Sequence, residues 1–448
     1  MTSNVPVVEP TIQYTDGIEA DAAKLAGFAA TQSATLNTLP EPAARDEHAA
    51  RQAAVCHEAL GDARGAFLDR HGEAVYAVLT AGFTRFLRAD ALLAAADAQF
   101  PGLVPSGQNL IADAARKLKD KEGFERDQGR FFACMLARPR IGTHLISAML
   151  RPLPRSEALV GDFVRDGFVD LGTAEVRRVG LAAHVVLKNP SVLNAEDDTT
   201  VGPVECAVDI ALLDPKSQVC VLRGGPVTHA RYHARGAFCT GINLTRLYAG
   251  QISYLWAIDR ELGFIHKILR GLALTDTALD EPESPHEKPW VAAINSFAIG
   301  GGCQYLLATD HVIAEADAYL TLPARKEGIL PGAANLRLPR FIGDRLARQA
   351  ILFDRPIPAD SPEGRLICDT LVPPGELDAG IEQAVATLTS AGPVGVIANR
   401  RALRAGAESV EDFRRYMATY ARDQAACYFS PALIRNLEEN WLKPKGLL

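Results

Sequence analysis

The run WVAAINSFAIGGGCQYLLATD, from Trp290 to Asp310, constrains the fold of this chain more than any other, because it joins an apolar strand, three glycines and a helix with no linker between them. Val291 to Ile294 are small or β-branched and apolar, which predicts a buried strand. Gly300, Gly301 and Gly302 allow a tight turn and a close approach of the backbone to a ligand. Cys303 to Thr309 then reads as a helix. A glycine turn at a helix start leaves amide N–H groups without acceptors and aimed outward, where they stabilise an oxygen that is gaining negative charge. A glycine triplet alone is more often a simple turn, so the reading depends on what accompanies it.

A second run, AFCTGINL from Ala237 to Leu244, repeats the pattern: a short apolar stretch, a turn at Gly241, and a predicted helix through Leu247 that exposes the N–H of Ile242. Two N–H groups from two such turns can grip one carbonyl oxygen between them. With VLKNPSVLNAEDD (Val186 to Asp198), AFCTGINL, INSFAIGGGCQYLLATDHVIA and GILPGAANLRL in that order, the chain resembles the crotonase (enoyl-CoA hydratase/isomerase) superfamily. The resemblance implies an α/β fold, a crotonase-like spiral of ββα units, in three parts: an all-helical N-terminal domain (1–172), a catalytic core (173–392) and a helical C-terminal segment (393–448). It implies that the amides of Ile242 and Gly301 hold a thioester oxygen, with His229, Gly241, Asn243, Leu244, Gly300 and Gly302 as further substrate-binding positions. It also implies a homo-oligomer, a trimer or a dimer of trimers.

The chain has 448 residues and a formal charge of −7. Its length allows roughly two or three domains, and its charge argues against the concentrated basic face that a nucleic acid would need. MTSNVPVVEPTIQYTDG has neither a basic n-region nor an apolar h-region, and no later run is long and uncharged enough to span a membrane, so a cytoplasmic protein is expected. The eight cysteines, at 56, 134, 206, 220, 239, 303, 368 and 427, show no CxxC pairing, as expected of reduced, packed thiols. There is no HExxH, no Rossmann glycine fingerprint after a strand and no P-loop. His229 and His233 have a spacing that could ligate a metal on a helix, but their loop or strand context favours local hydrogen bonding or pocket lining.

Residues up to about Pro42 read as an irregular arm. The spacing of Val75, Val78, Leu79, Phe83 and Phe86 predicts an amphipathic helix from Glu73. FPGLVPSG (Phe100 to Gly107) predicts a break, and Leu110 to Lys119 and Gly129 to Ala137 further helices. A minimal crotonase lacks such a region, and an oligomer-stabilising appendage is its simplest reading. Near Val176 the period shortens: Leu181 to Leu187, Ala207 to Leu213 and Gln218 to Leu222 read as strands. Gln251 to Leu274 reads as a long amphipathic helix bearing Arg260 and Lys267, followed by an acidic, proline-containing loop to Pro289. Ala318 to Leu322 reads as a strand, Arg345 to Leu352 as a helix, and Ile397 to Trp441 as a helical, Arg-rich tail. In the family such a tail covers a neighbouring active site. Arg400, Arg401 and Lys443 are then candidate partners for CoA phosphates, beside the alternative of a solvated charged face.

Hydratases of the superfamily carry two glutamates, one closing the GGGCE segment and one after a proline downstream. Here Gln304 and Ala324 stand in those places. An amide takes no proton at pH 7 and a methyl group neither donates nor accepts one. Losing one positioned acid or base costs about 10²–10⁴ in rate, so efficient hydration is not expected. An amide pair without those glutamates suits another reaction that begins at the thioester α-carbon.

The long helical extension, NAEDD, Gln304 and Ala324 together resemble the members that oxidise 3,5-dihydroxyphenylacetyl-CoA with O2 to 3,5-dihydroxyphenylglyoxylate and free CoA, using neither metal nor flavin. That resemblance implies an enolate held by Ile242 and Gly301, whose ring-delocalised carbanion reduces O2 directly. Glu196 is then at the reacting end, orienting a ring hydroxyl or helping to remove a proton; a solvated loop carboxylate is the plain alternative. Arg260 holds a ring hydroxyl or phenolate, unless it pairs on a helix surface with Glu261 or Asp259. Gln304 is a polar contact, and Leu244, Ala324 and Ile329 form a small dry pocket for O2. The competing readings are a hydratase, isomerase or thioesterase with Glu196 as base, and a catalytically silent crotonase-like interaction module.

Overall fold

Parallel strands buried on both faces need apolar side chains at nearly every position, and the central strands of this chain have them. The computed structural model describes residues 12–15, 17–275 and 285–446; residues 276–284, the middle of the predicted acidic loop, lie outside the described residues. The strands are β1 (Phe168–Asp170), β2 (Ala174–Val179), β3 (Ala182–Leu187), β4 (Val219–Gly224), β5 (Trp290–Ile294), β6 (Phe297–Ile299), β7 (His311–Glu315), β8 (Tyr319–Thr321), β9 (Ile357–Pro358) and β10 (Thr370–Val372). A seven-stranded sheet has the order β1-β2-β3-β4-β5-β7-β10, antiparallel across β1 to β3 and parallel from β3 onward. A second sheet, β6-β8-β9, stands beside it. Val221, Val291, Ala293 and Ile313 turn one face of the large sheet to Leu377 and Ile381 of the helix Leu377–Thr389. Leu222, Ala292 and Ile294 turn the other to a cluster containing Ala207, Ile210 and Ala211.

Those last residues correct an expectation. Ala207 to Leu213, read as a strand, is the end of the helix Asp198–Leu213. Its apolar run is buried all round, so periodicity could not tell strand from helix; the Asp197–Thr200 capping box at its start decides it. The lead-in before Pro42 is likewise no irregular arm, because Ile18–Asn37 is a helix that buries Leu25, Ala29 and Leu36. The helix placed at Glu73 starts far earlier, at Glu47, where Asp46 caps the amide of Ala49, and it ends at Leu79. Phe83 and Phe86 lie beyond it, Phe83 at a φ of 68°. Leu110 to Lys119 resolves into Gly107–Ala114 and a short 3₁₀ turn, Leu118–Asp120. Among the described residues no helix is long and apolar enough to cross a membrane, and all eight cysteines are free.

The helical regions at the two ends of the chain share one core. Phe67, Tyr76 and Phe131 cluster with Leu244, Trp256 and Leu262 and with Phe413, Met417 and Tyr428. The helix Val410–Tyr428 lies so close along Glu125–Ala137 that a Cβ on Gly129 would stand 2.4 Å from the Ala425 Cβ. A buried ion cluster fastens the N-terminal helices to the helix Asp198–Leu213 that packs on the sheet. Lys267 Nζ lies 2.7 Å from both Glu205 and Asp209, and Arg88 reaches Glu205 at 2.8 Å. Lys267 is therefore no surface residue of an amphipathic helix. Arg400 is also consumed in structure: it is buried against Glu287 and Asp310, and it donates to the carbonyls of Ile268 and Leu269. That burial removes it as a partner for CoA phosphates, and Arg401 reaches the same Glu287.

Candidate active site

After β5 the chain reverses at Ser296, runs through β6 and arrives at Gly300, whose φ of 53° turns it into the helix Gly301–Leu306. The segment before Ile242 lies alongside: Cys239 bridges Ala298 in parallel, and the Ile299 N–H donates to the Cys239 carbonyl at 3.0 Å. Gly241, at a φ of 73°, sits so near the glycine run that a Cβ on it would come within 2.7 Å of the Gly301 nitrogen. The amides of Ile242 and Gly301 are thus brought together, and neither N–H donates to an acceptor among the described residues. Two buried donors without partners are free to hold an oxygen that carries charge. Gly301 cannot carry a side chain, since its Cβ would lie 1.8 Å from Glu196 Oε2.

Glu196 arrives there because NAEDD is built as a clamp. Asn194 donates to the carbonyls of Gly225 and Ala237, Asp197 caps the following helix, and Asp198 accepts the Ser253 amide at 3.1 Å. Between them Glu196 is buried, with its backbone N–H bonded to the Gly241 carbonyl and its own carbonyl to the Asn243 amide. It is not a solvated loop carboxylate. Arg260 holds it with two bonds, Nε to Oε1 at 2.8 Å and Nη2 to Oε2 at 3.0 Å, and the Tyr305 hydroxyl adds a third at 2.7 Å.

Arg260 is the hub of this cluster. It projects from a π turn, Asp259–Phe264, that interrupts the expected long helix between Tyr254–Ile258 and Ile265–Arg270. Besides Glu196 it donates to the Gly301 carbonyl at 2.9 Å, to Glu261 Oε1 at 2.5 Å and to Gln304 Oε1. These contacts use all five of its N–H groups. The expected pairing with Glu261 exists, but in the interior rather than on a helix surface, and a direct bond to a ring hydroxyl would have to replace one of the five. Burial works against the Arg260 charge, yet Glu196 and Glu261 hold the guanidinium well above its ordinary range. Burial, and then the charge of Glu196, pushes the Tyr305 phenol up.

Two cavities meet at Ile242. The inner one is walled by Arg260, Glu261, Gly301, Gln304, Ala324 and Ile329 and closed by Tyr420 and Gln424 of the C-terminal helix; it leaves about 30 Å³ for the centres of water-sized molecules. The outer one, about 420 Å³, is a channel lined by His229, Asn243, Leu244, Lys326, Trp441 and Lys445 among others. Ala324 and Ile329 therefore share the inner cavity, whereas Leu244 lies on the channel and not with them. Glu196 opens onto neither. His229 and His233 make local bonds, to the Arg231 amide and the Ala230 carbonyl. Among the described residues no group of three His, Cys, Asp or Glu side chains is arranged to hold a metal ion. Lys326 and Lys445, rather than Lys443, are the channel cations. The tail covers this chain's own site, through Tyr420 and Gln424 on the inner cavity and Trp441 and Lys445 on the channel.

Residues 180–421 match the enoyl-CoA hydratase/isomerase family. The (3,5-dihydroxyphenyl)acetyl-CoA 1,2-dioxygenase of Amycolatopsis orientalis is 46% identical over 417 residues, covering 93% of this chain and 94% of that protein. The chain belongs to the enoyl-CoA hydratase/isomerase family. A short-chain-enoyl-CoA hydratase of Clostridium acetobutylicum is 26% identical over 241 residues, 53% of this chain and 83% of the relative. The crystal structure of an enoyl-CoA hydratase from Mycobacterium avium subsp. paratuberculosis K-10 superimposes with a TM-score of 0.50 at 19% identity, over 60% of this chain and 99% of that one, which establishes the shared fold.

Sequence reasoning missed Glu261, Tyr305, Glu327 and Tyr420 as parts of the site. Glu327 had a legible signal, since it follows Ala324 by three residues and so shares its helix face. Tyr420 had none, because only tertiary packing brings it to the cavity.

Proposed function

We propose that this chain is a cofactor-independent dioxygenase that converts 3,5-dihydroxyphenylacetyl-CoA and O2 into 3,5-dihydroxyphenylglyoxylate and free CoA. The observation that carries this reading is the 46% identity to a dioxygenase of that substrate over 93% of the chain, a span that includes the helical regions outside the family core. The site chemistry supports it: an unoccupied amide pair remains, while Gln304 and Ala324 replace the two glutamates that hydration needs. The thioester oxygen binds between the N–H groups of Ile242 and Gly301, which lowers the pKa of the α-carbon as charge moves onto oxygen. The CoA arm follows the channel, where Lys326 and Lys445 suit its phosphates. The carbanion, delocalised into the dihydroxyphenyl ring, passes an electron to O2, and the radical pair combines to a peroxide at the α-carbon. Attack of the peroxide on the thioester carbonyl expels CoA, and collapse of the cyclic peroxide leaves the arylglyoxylate with both oxygen atoms.

Gly301, Gln304 and Glu196 are held in register by Arg260, which supports a positioning role for the guanidinium. Family membership supports a homo-oligomer, a trimer or dimer of trimers, and eight free cysteines support a reducing, cytoplasmic setting.

Metal-stripped enzyme given 3,5-dihydroxyphenylacetyl-CoA is expected to consume O2 and release thiol in equal amounts. Thiol without O2 uptake would make it a thioesterase, and inertness until iron, copper or flavin is added would end the cofactor-free reading. Ala324→Asn adds a polar side chain to the inner cavity and is expected to cut O2-dependent turnover by about tenfold or more while leaving the KM for the thioester nearly unchanged. Steady-state kinetics at varied O2 measure both.

A further inference from the structure

The reaction above begins by removing an α-proton, and two of the carboxylates near the amide pair are ill suited to take it. Glu196 has both oxygens bonded to Arg260 and one also to Tyr305, and it faces neither cavity. Glu261 is bonded to Arg260 through Oε1 and to the Ala333 amide through Oε2 at 3.0 Å. Protonating either would break up a buried ion pair.

Glu327 differs in every respect. It ends the short helix Ala324–Glu327, one turn beyond the position where hydratases of the family carry a glutamate. With Ile242 it is one of two residues that line both the inner cavity and the channel, so it stands at the neck between them. Its half-buried carboxylate makes no hydrogen bond or ion pair with any described residue. A thioester with its oxygen on the Ile242 amide and its CoA arm in the channel has its carbonyl and α-carbon in that neck. Building on the dioxygenase reading, we infer that Glu327 is the general base that accepts the α-proton of the bound thioester.

The proton balance closes. The substrate loses both α-hydrogens: Glu327 takes the first as H⁺ while the C–H electron pair enters the enolate, and O2 receives those electrons as the peroxide forms. CoA leaves as thiolate and takes up one proton, which Glu327 can return to it. The second α-hydrogen is lost as H⁺ when the O–O bond breaks and its C–H pair becomes part of the new keto group. The charged groups that share the cavities with Glu327 are Arg260 and Glu261 inside and Lys326 and Lys445 outside, with His229 on the channel wall. Behind it lies Asp354, paired with Arg325, and the helix Pro431–Leu437 contributes the neutral Asn436. Burial, and then the Asp354 charge, pushes the Glu327 carboxyl up to about 7. A base whose pKa lies close to neutral pH combines proton affinity with an ionised fraction of about half, the match that general-base catalysis favours.

Wild-type enzyme held without O2 in ordinary water should exchange deuterium out of α-dideuterated 3,5-dihydroxyphenylacetyl-CoA. Glu327→Gln, which keeps the side chain's shape, should slow both that exchange and aerobic O2 uptake by about 10²–10⁴. Its affinity for benzoyl-CoA, a thioester with no α-hydrogen, should match wild type by calorimetry. Glu327→Asp should retain partial exchange and move the rising limb of the pH–rate profile, which is expected near 7 in wild type. Exchange by Glu327→Gln within about threefold of wild type overturns the base assignment and leaves the dioxygenase reading standing if wild type consumes O2. Wild type that neither exchanges nor consumes O2 overturns both. If the Gln variant fails to bind benzoyl-CoA, the Asp variant decides, and an unmoved profile rejects the proposal.

Discussion

Gly301→Ala is expected to lower kcat by about 10²–10³ or more, the scale of losing one oxyanion donor. The added methyl would stand 1.8 Å from Glu196 Oε2 and 2.8 Å from Arg260 Nη2, distances no packing tolerates. Either the glycine loop retreats, moving its N–H off the thioester oxygen, or the Glu196–Arg260 pair is pushed apart. Both routes damage the same step, so α-deuterium exchange and O2 uptake should fall together. The control is Gly172→Ala, at a glycine whose Cβ would meet nothing within 4 Å; because its φ is 87°, it is expected to cost some stability and to leave the site chemistry intact. A Gly301→Ala enzyme with near-normal exchange would mean that the thioester oxygen binds elsewhere.

Arg260→Met should be the most destabilising single change at the site. Removing the guanidinium strands Glu196 and Glu261 in the interior, and an uncompensated buried partner costs about 3–5 kcal/mol. Urea unfolding should show that loss, and pairing the change with Glu196→Gln should recover part of it, because a neutral amide no longer needs the counter-charge. Activity should stay low in the double variant, since nothing then holds Gln304 and the Gly301 carbonyl in register. Equal stability of single and double variants would show that Glu196 does not depend on Arg260.

What could be read from the chain alone was what short stretches decide. The strand Trp290–Ile294 and the turn at Gly300 depend on residues within a few positions of one another, and the structure contains both; the approach of Ile242 to Gly301 joins distant segments and was legible only through the family resemblance. Arg260 shows the opposite case. Its sequence neighbours Asp259 and Glu261 suggested a surface pair, while the partner that matters, Glu196, lies 64 residues away. Ala207 to Leu213 carries a single polar residue, Asp209, too little to reveal a period, so a buried helix passed for a strand. Arg400 looked available for phosphates because the chain does not show that Glu287 and Asp310 fold onto it.

The inner cavity is closed by Tyr420 and Gln424 on a helix that leans on Glu125–Ala137 from the other end of the chain. A carbanion in water is quenched by the nearest proton long before a scarce gas reaches it. On the dioxygenase reading, the helix that carries Tyr420 and Gln424 would set which encounter comes first by keeping water out of that cavity. The helix Glu125–Ala137, packed behind it, would then serve the chemistry through timing rather than contact.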